Sequence, residues 1–273
     1  MNTNLERPIA RSKARKILGK EFYILKRKLK WLLTSTRWAK TTNSERLPFL
    51  VFQHRSTLLR RLRNVDMQLQ YNKIVNLQLA TRPLDGILIR PGESFSIWYL
   101  VGRPTAQRGY KEGLILADGQ ITSGTGGGLC QLGNLLYWIA LHSPLTVVER
   151  WRHSYDVFPD VNRTIPFGCG ATLSYNYVDL ILRNDTEHTF QIALWLDDEY
   201  LHGALYSDKD AQEQYEIIES EHAFLLQWWG AYVRHNRIDR IVTGIATGQT
   251  RKEFITKNDA FMMYEPLLGE GKQ

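Results

Sequence analysis

Cysteine is scarce in this chain: Cys130 and Cys169 are the two among 273 residues. Two thiols do not make a disulfide framework, and the sequence reads as a protein of a reducing compartment. No apolar run reaches the roughly 18 residues that a membrane-spanning helix needs. The start is basic, but no uninterrupted apolar stretch with a small-residue cleavage site follows, so no signal peptide is expected. Together these absences predict a cytoplasmic protein, with peripheral attachment to the inner membrane face left open.

Other signatures are missing too. No Lys-Ser or Lys-Thr follows the glycine-rich stretch, so a phosphate-binding loop is excluded. Leu132 stands where a nucleophile elbow needs its final glycine. Cys130, His153 and Cys169 are too widely spaced to read as a metal signature. Neither a metal nor an organic cofactor is expected. Charge is also lopsided. Residues 1–40 carry 12 Lys or Arg against 2 Glu, a balance of +10, while the whole chain is +7, so the rest sums to −3. An acidic body argues against an extended nucleic-acid groove, and only the N-terminal arm should attract polyanions at long range.

What is present centres on Gly124 to His153, and there on Gly126-Gly127-Gly128-Leu129-Cys130-Gln131. Consecutive glycines allow backbone angles and close approaches that other residues forbid. Leu132, Leu135, Leu136 and Ile139 then recur at helical spacing, and Pro144 ends the run. Cys130 therefore falls at or just before a helix start, where unpaired N–H groups and the helix dipole favour an anion and should lower a thiol pKa. Thr146-Val147-Val148 reads as the next strand and leads to His153.

A cysteine at a helix start with a histidine beyond the following strand can form an activated nucleophile. On this reading Cys130 is the nucleophile and His153 the general base. Asp179 is the candidate for orienting the imidazole, with Asp156 as another available carboxylate. The amides of Gly126, Gly127 and Gly128 and the Gln131 side chain are candidate oxyanion donors. Plainer readings exist for each. A free cysteine is usually a small core residue, His153 fits a satisfied polar position, glycines make tight turns, and Gln131 can cap a helix.

The remaining chain predicts an α+β fold: N-terminal helices, then a mostly antiparallel sheet with one buried helix after the glycine-rich loop. Residues 11–33 form a basic amphipathic helix with Leu18, Phe22, Leu25, Leu29 and Leu32 on one stripe. That stripe suits either packing on the body or contact with an anionic membrane surface. Thr34 to Arg46 reads as a linker, which sets a helical arm and linker over 1–46 and an α+β domain over 47–273. Leu47 to Phe52 is a short buried run, and 57–80 is helical in part. Arg90-Pro91-Gly92-Glu93 suits a type II turn, followed by a strand over Phe95 to Trp98. Leu114 to Ala117 and Gln120 to Thr122 form a hairpin. Later strands are expected at Ala171–Asn176, Val178–Leu182, Thr189–Leu196, Tyr200–Tyr206, Tyr215–Glu219, Tyr232–Gly244 and Thr250–Thr256.

Arg90 to Ser96, Gly126 to Gln131, Leu136-Tyr137, Glu149-Arg150 with His153, Ala171-Thr172 and Val178-Asp179-Leu180 together resemble the VanW family in order and spacing. The resemblance covers the chain from about Leu47 to the last hairpin, and the Gly-Gly-Gly-x-Cys-Gln element is its specific part. It implies a cell-wall role linked to glycopeptide resistance. Larger exported members are implicated in L,D-transpeptidation, so it further implies a cysteine transpeptidase or amidohydrolase acting on a peptidoglycan stem peptide or precursor. A non-catalytic accessory that binds such a precursor or a resistance partner is the alternative. One position departs from the pattern. The family usually carries Asp before the Ala-Thr pair, and this chain has Gly170.

Overall fold

The computed structural model describes residues 12–59, 66–117, 120–152, 154–157 and 165–264. In chain order these form α1 (Lys13–Leu33), β1 (Arg37–Trp38), β2 (Phe49–Thr57), α2 (Met67–Thr81), β3 (Leu88–Ile89), β4 (Glu93–Ser96) and α3 (Ile97–Val101). β5 (Glu112–Ala117), β6 (Gln120–Thr125), α4 (Cys130–Leu141), β7 (Thr146–Glu149) and β8 (Tyr155–Asp156) follow. The rest is strand: β9 (Ile181–Arg183), β10 (Phe190–Leu196), β11 (Tyr200–Ser207), β12 (Glu213–Leu226), β13 (Tyr232–Gly244) and β14 (Thr250–Met262). The fold class is α+β, as the sequence predicts.

Three four-stranded sheets, ordered β1-β4-β9-β7, β2-β11-β10-β3 and β12-β13-β14-β8, accompany the β5-β6 hairpin. Pairing is antiparallel except for β1 with β4 and β8 with β14. α4 is apolar on nearly every face and is correspondingly buried from Leu132 to Leu141, apart from Asn134. It packs on β2 and β11. Gly203 of β11 makes that closeness possible, because a Cβ there would lie 2.8 Å from Ile139 Cδ1 and 3.0 Å from Leu135 Cδ2.

Several local readings hold. Gly92 has φ +75° and Glu93 N–H donates to Arg90 O at 2.9 Å, as a type II turn requires. The β5–β6 register closes at Ala117 and Gln120. Others need correction. Ile97 and Trp98 begin α3 rather than extend a strand, because Ser96 Oγ caps the Tyr99 amide at 3.0 Å. The stretch read as a linker contributes β1 to a sheet, and Thr42 bridges Ile87. Phe49 and Leu50 are exposed, since β2 is an edge strand. Ala171 to Asn176 joins no sheet and makes only the Ser174–Val178 bridge. β12 and β14 run well past their expected ends, because each pairs with β13 along most of its length.

α1 forms where the pattern places it, with Ser12 Oγ capping the Arg15 amide at 3.3 Å. It docks on the body, but not through the expected stripe. Ile24 is buried, while Leu18, Phe22, Leu25, Leu29 and Leu32 all face outward.

Candidate functional site

Two backbones cross at the glycine turn. Gly126 and Gly128 have φ +77° and +91°, which favour glycine. Gly127 lies directly on Gly113 of β5, and a Cβ on Gly113 would lie 2.5 Å from Gly127 O. Asn76 of α2 holds the crossing. Its Nδ2 donates to Gly127 O at 2.9 Å and to Lys111 O at 3.0 Å, and its Oδ1 accepts from Lys111 N at 2.8 Å. Lys73 lies one turn before Asn76, and its methylenes fill the space beside Gly128 that a side chain there would need. Lys73 Nζ donates to Gln70 Oε1 at 2.9 Å.

This crossing consumes the glycine amides. Gly126 N–H donates to Lys111 O at 2.9 Å, Gly127 to Gly124 O at 3.0 Å and Gly128 to Leu114 O at 2.8 Å. As folded, none of the three is an available oxyanion donor. Gln131 is engaged as well: its Nε2 donates to Ser56 Oγ at 2.9 Å and to Thr57 O at 2.8 Å, which fastens α4 to β2. The unspent donor lies one step further on. Among the described residues the Leu129 amide has no acceptor, as expected at a helix start, while the Cys130 amide is directed at its own thiol.

Cys130 is the first residue of α4 and is half-buried. Its Sγ accepts from Leu173 N at 3.4 Å and points back to Leu173 O at 3.8 Å. One helical turn on, Asn134 Oδ1 accepts from Ala171 N at 2.7 Å. Two residues of extended chain span nearly the same distance as one helical turn, so alternate amides of the 171–173 segment meet positions i and i+4 of α4. The intervening Thr172 N–H turns the other way, to Trp151 O at 2.7 Å. Gly133 lets the segment approach, since a Cβ there would lie 2.9 Å from Leu173 Cγ. At Gly170 a Cβ would lie 2.6 Å from Asn134 Oδ1, so Asn134 occupies the space that an Asp at 170 would enter.

The expected fall in thiol pKa is not found. Burial pushes the Cys130 thiol up, and the amides of Leu173 and Cys130 offset this only in part. The magnitudes explain the outcome. A helix terminus contributes about 0.3–1 kcal/mol, less than one pKa unit, whereas desolvation can move a pKa by more than that, up to about 3–5 units when burial is complete. In the folded protein, iodoacetamide should therefore alkylate Cys130 slowly at neutral pH. The rate should rise with a midpoint above that of a free thiol, while Cys169, 2% exposed, should react more slowly still. A midpoint below the free-thiol value in a pH series would contradict this.

His153 lies outside the described residues. Among those described, no imidazole contacts Cys130. His142 stacks on Phe52 at 4.0 Å, its Nδ1 bonds Trp138 O at 2.9 Å, and burial pushes its pKa down. Asp179 is fully buried and otherwise engaged. Its carboxylate accepts from Ser96 Oγ at 2.5 Å, Trp98 N at 3.3 Å and Leu180 N at 2.8 Å, which pins the start of α3. No contact joins it to Cys130 among the described residues. Asp156 is buried beside Arg234 at 3.4 Å and accepts from Tyr264 OH at 2.8 Å.

Burial raises the Asp179 pKa from 3.8 to about 7, against the opposing Ser96 and Trp98 hydrogen bonds. A carboxyl group with a raised folded pKa binds more protons folded than unfolded. Its stabilising contribution is complete below 3.8 and is lost as pH rises through about 7. Asp179→Asn should flatten the decline in melting temperature over that window. An unchanged pH profile in the variant would show that Asp179 does not titrate there.

The sequence reading did not single out Leu173, Asn134, Asn76, Lys73 or Gly113. Only α2 carried a local signal, with polar Gln70, Lys73 and Asn76 at steps of three on the face that also buries Leu77 and Ala80. On either side of Leu173, Thr172 Oγ1 and both amide atoms of Asn176 are buried without a protein partner. Buried polar atoms are usually paired, so these are unspent hydrogen-bonding capacity in the segment that contacts Cys130. Among the described residues no group of three or more His, Cys, Asp or Glu is arranged to hold a metal.

A family model described as "VanW like protein" matches residues 72–206. The chain is 39% identical over 212 residues to the vancomycin B-type resistance protein VanW of Enterococcus faecalis, an alignment covering 78% of this chain and 77% of that one. It is 31% identical over 109 residues to the uncharacterized protein YoaR of Bacillus subtilis, covering 40% of this chain and 34% of that one. No solved structure matches it significantly.

Proposed function

This chain belongs to the VanW family, and we propose that it acts in vancomycin resistance as a cysteine acyltransferase or hydrolase on the stem peptide of peptidoglycan or its precursor. The observation that carries the reading is the start of α4, where Cys130 is the first helical residue and the Leu129 amide just before it has no acceptor among the described residues. That amide, and not those of the glycines, is the donor for a developing oxyanion.

A thiol with a raised pKa needs a base at the moment of attack. His153 takes the Sγ proton as the C–S bond forms. Collapse of the tetrahedral intermediate breaks the peptide C–N bond, and the amine leaves with that proton. An acceptor amine or water then attacks the thioester, giving its proton to the imidazole. The new amide or acid departs, and the thiol recovers its proton. We place this chemistry in the cytoplasm, on precursors. The basic residues of α1 support that placement, since anionic lipid lines the inner leaflet.

Incubation with a stem pentapeptide, an acid quench and intact-mass measurement test this reading. An acyl adduct on Cys130 that is absent from Cys130→Ser is the expected result. Peptide binding without an adduct would favour a second reading, a non-catalytic accessory that holds the precursor. That reading has its own support. Cys130 and Asn134 serve as paired supports for the 171–173 segment, and burial keeps the thiol protonated.

A further inference from the structure

α1 is attached to the body by one narrow face. Ile24 is buried, and both Nη atoms of Arg27 reach the Glu149 carboxylate at 2.6 Å. Glu21 pairs with Arg103 at 2.7 Å. Trp31 packs edge-on against Tyr99 and Trp38, with centroids 5.0 and 6.3 Å apart. The helix is therefore a fixed part of the surface. Arg27 also donates to Tyr177 O, and Glu149 accepts from the Asp179 amide, so the helix is tied to the chain just beyond Leu173.

Its apolar stripe points away from these contacts. Leu18, Phe22, Leu25, Leu29 and Leu32 are 71%, 61%, 57%, 47% and 81% exposed. At 3.6 residues per turn they fall within an arc of about 80°, centred roughly a third of a turn from Ile24. A docked helix ordinarily buries its apolar stripe, and a continuous exposed stripe of this kind marks an interaction surface. Exposed lysines border it, Lys28 on one side and Lys26 and Lys30 on the other. The helix carries eight Lys or Arg and one Glu, and that Glu is paired with the body.

We infer that α1 is a membrane-contact helix. It lies in the plane of an anionic phospholipid leaflet, with the Leu18–Leu32 stripe among the upper acyl chains and the bordering lysines at the headgroups. Charge selects lipid over a second copy of the chain. Two such stripes packed face to face would oppose lysine to lysine, whereas an anionic leaflet satisfies both borders. No described helix is long and apolar enough to cross a membrane. The inference does not depend on any chemistry at Cys130.

The test is flotation of the full chain with vesicles of phosphatidylglycerol and phosphatidylcholine, compared with phosphatidylcholine alone. Binding should require the anionic lipid and fall with added salt. Lys26→Gln and Lys30→Gln should each weaken it about fivefold at low salt. Phe22→Ser combined with Leu29→Ser should abolish flotation while circular dichroism and the melting temperature stay at the parent values. Unchanged flotation of that double variant would overturn the inference. So would a concentration-dependent dimer in sedimentation equilibrium that the same variant dissociates, with no vesicle binding by the parent. If the serine variant loses helix content, Phe22→Ala with Leu29→Ala gives the same comparison with higher helix propensity.

Discussion

Gly127→Ala is expected to destabilise the protein by at least about 3 kcal/mol, and more than any other single-methyl addition in the turn. The added Cβ would sit well inside contact distance of the carbonyl carbon and oxygen of Gly113. Both are backbone atoms, so no side chain can swing aside. Gly113 cannot retreat easily either, because β5 is paired with β6 along its whole length. Asn76 grips Gly127 O and both polar groups of Lys111, so the turn and the strand start would have to separate against three hydrogen bonds. For a chain of this size that loss lowers the melting temperature by more than about 6 °C. Gly248→Ala is the control. Unlike Gly127 it has a positive φ, +64°, but nothing lies within 4 Å of its missing Cβ, so the cost is backbone strain alone and should stay near about 1–2 kcal/mol. Thermal melts of both variants decide the matter. Equal, small shifts would mean that the crossing is not tight in solution.

Loss of function at Cys130 is the second large effect. If the thiol is the nucleophile, Cys130→Ser should lower turnover by about 10⁴-fold or more and remove the proposed contribution to vancomycin resistance. A serine hydroxyl is a much poorer nucleophile without a stronger base. His153→Ala should cause a similar loss, and the double variant should be little worse, because nucleophile and base act as one unit. Cys130→Ala needs more care. It removes the acceptor of the Leu173 amide, which costs about 1–3 kcal/mol if that group is left unpaired. Serine keeps a donor and an acceptor at the same place, so it is the cleaner variant. Resistance should be measured at matched folded protein levels. Full resistance with Cys130→Ser would sink the acyltransferase reading and leave the accessory one, in which the sulfur only supports the 171–173 segment.

Gly170 bears on the same choice. The VanW resemblance points to a carboxylate there, yet in this chain the space is filled by Asn134, whose Oδ1 caps Ala171. The substitution at 170 and the packing of Asn134 therefore have to be considered together.

The placement of Cys130 at a helix start behind a glycine turn was legible in the sequence because its signals are local. A glycine turn, an apolar run and a following proline place the start of α4 at Cys130. Pro91-Gly92 specifies a tight turn through backbone angles alone. The β13–β14 hairpin and the α+β class follow from alternating patterns and their turns. Which groups remain free to act was not local. The glycine amides are spent on Lys111, Gly124 and Leu114. Gln131 reaches Ser56 and Thr57, 75 and 74 residues away in the chain. Leu173 meets Cys130 only because an extended segment lies along the helix. The thiol pKa shows the same division. Sequence supplied the helix-end charge effect, while burial depends on neighbours brought together from distant parts of the chain, and burial is the larger of the two. For α1 the pattern determined a helix and its stripe. Which face meets the body was decided by Glu149, Arg103 and Tyr99, whose partners on the helix lie on its other side. Periodicity records that a helix has two faces, and only the tertiary contacts assign one of them to the protein and leave the other to its surroundings.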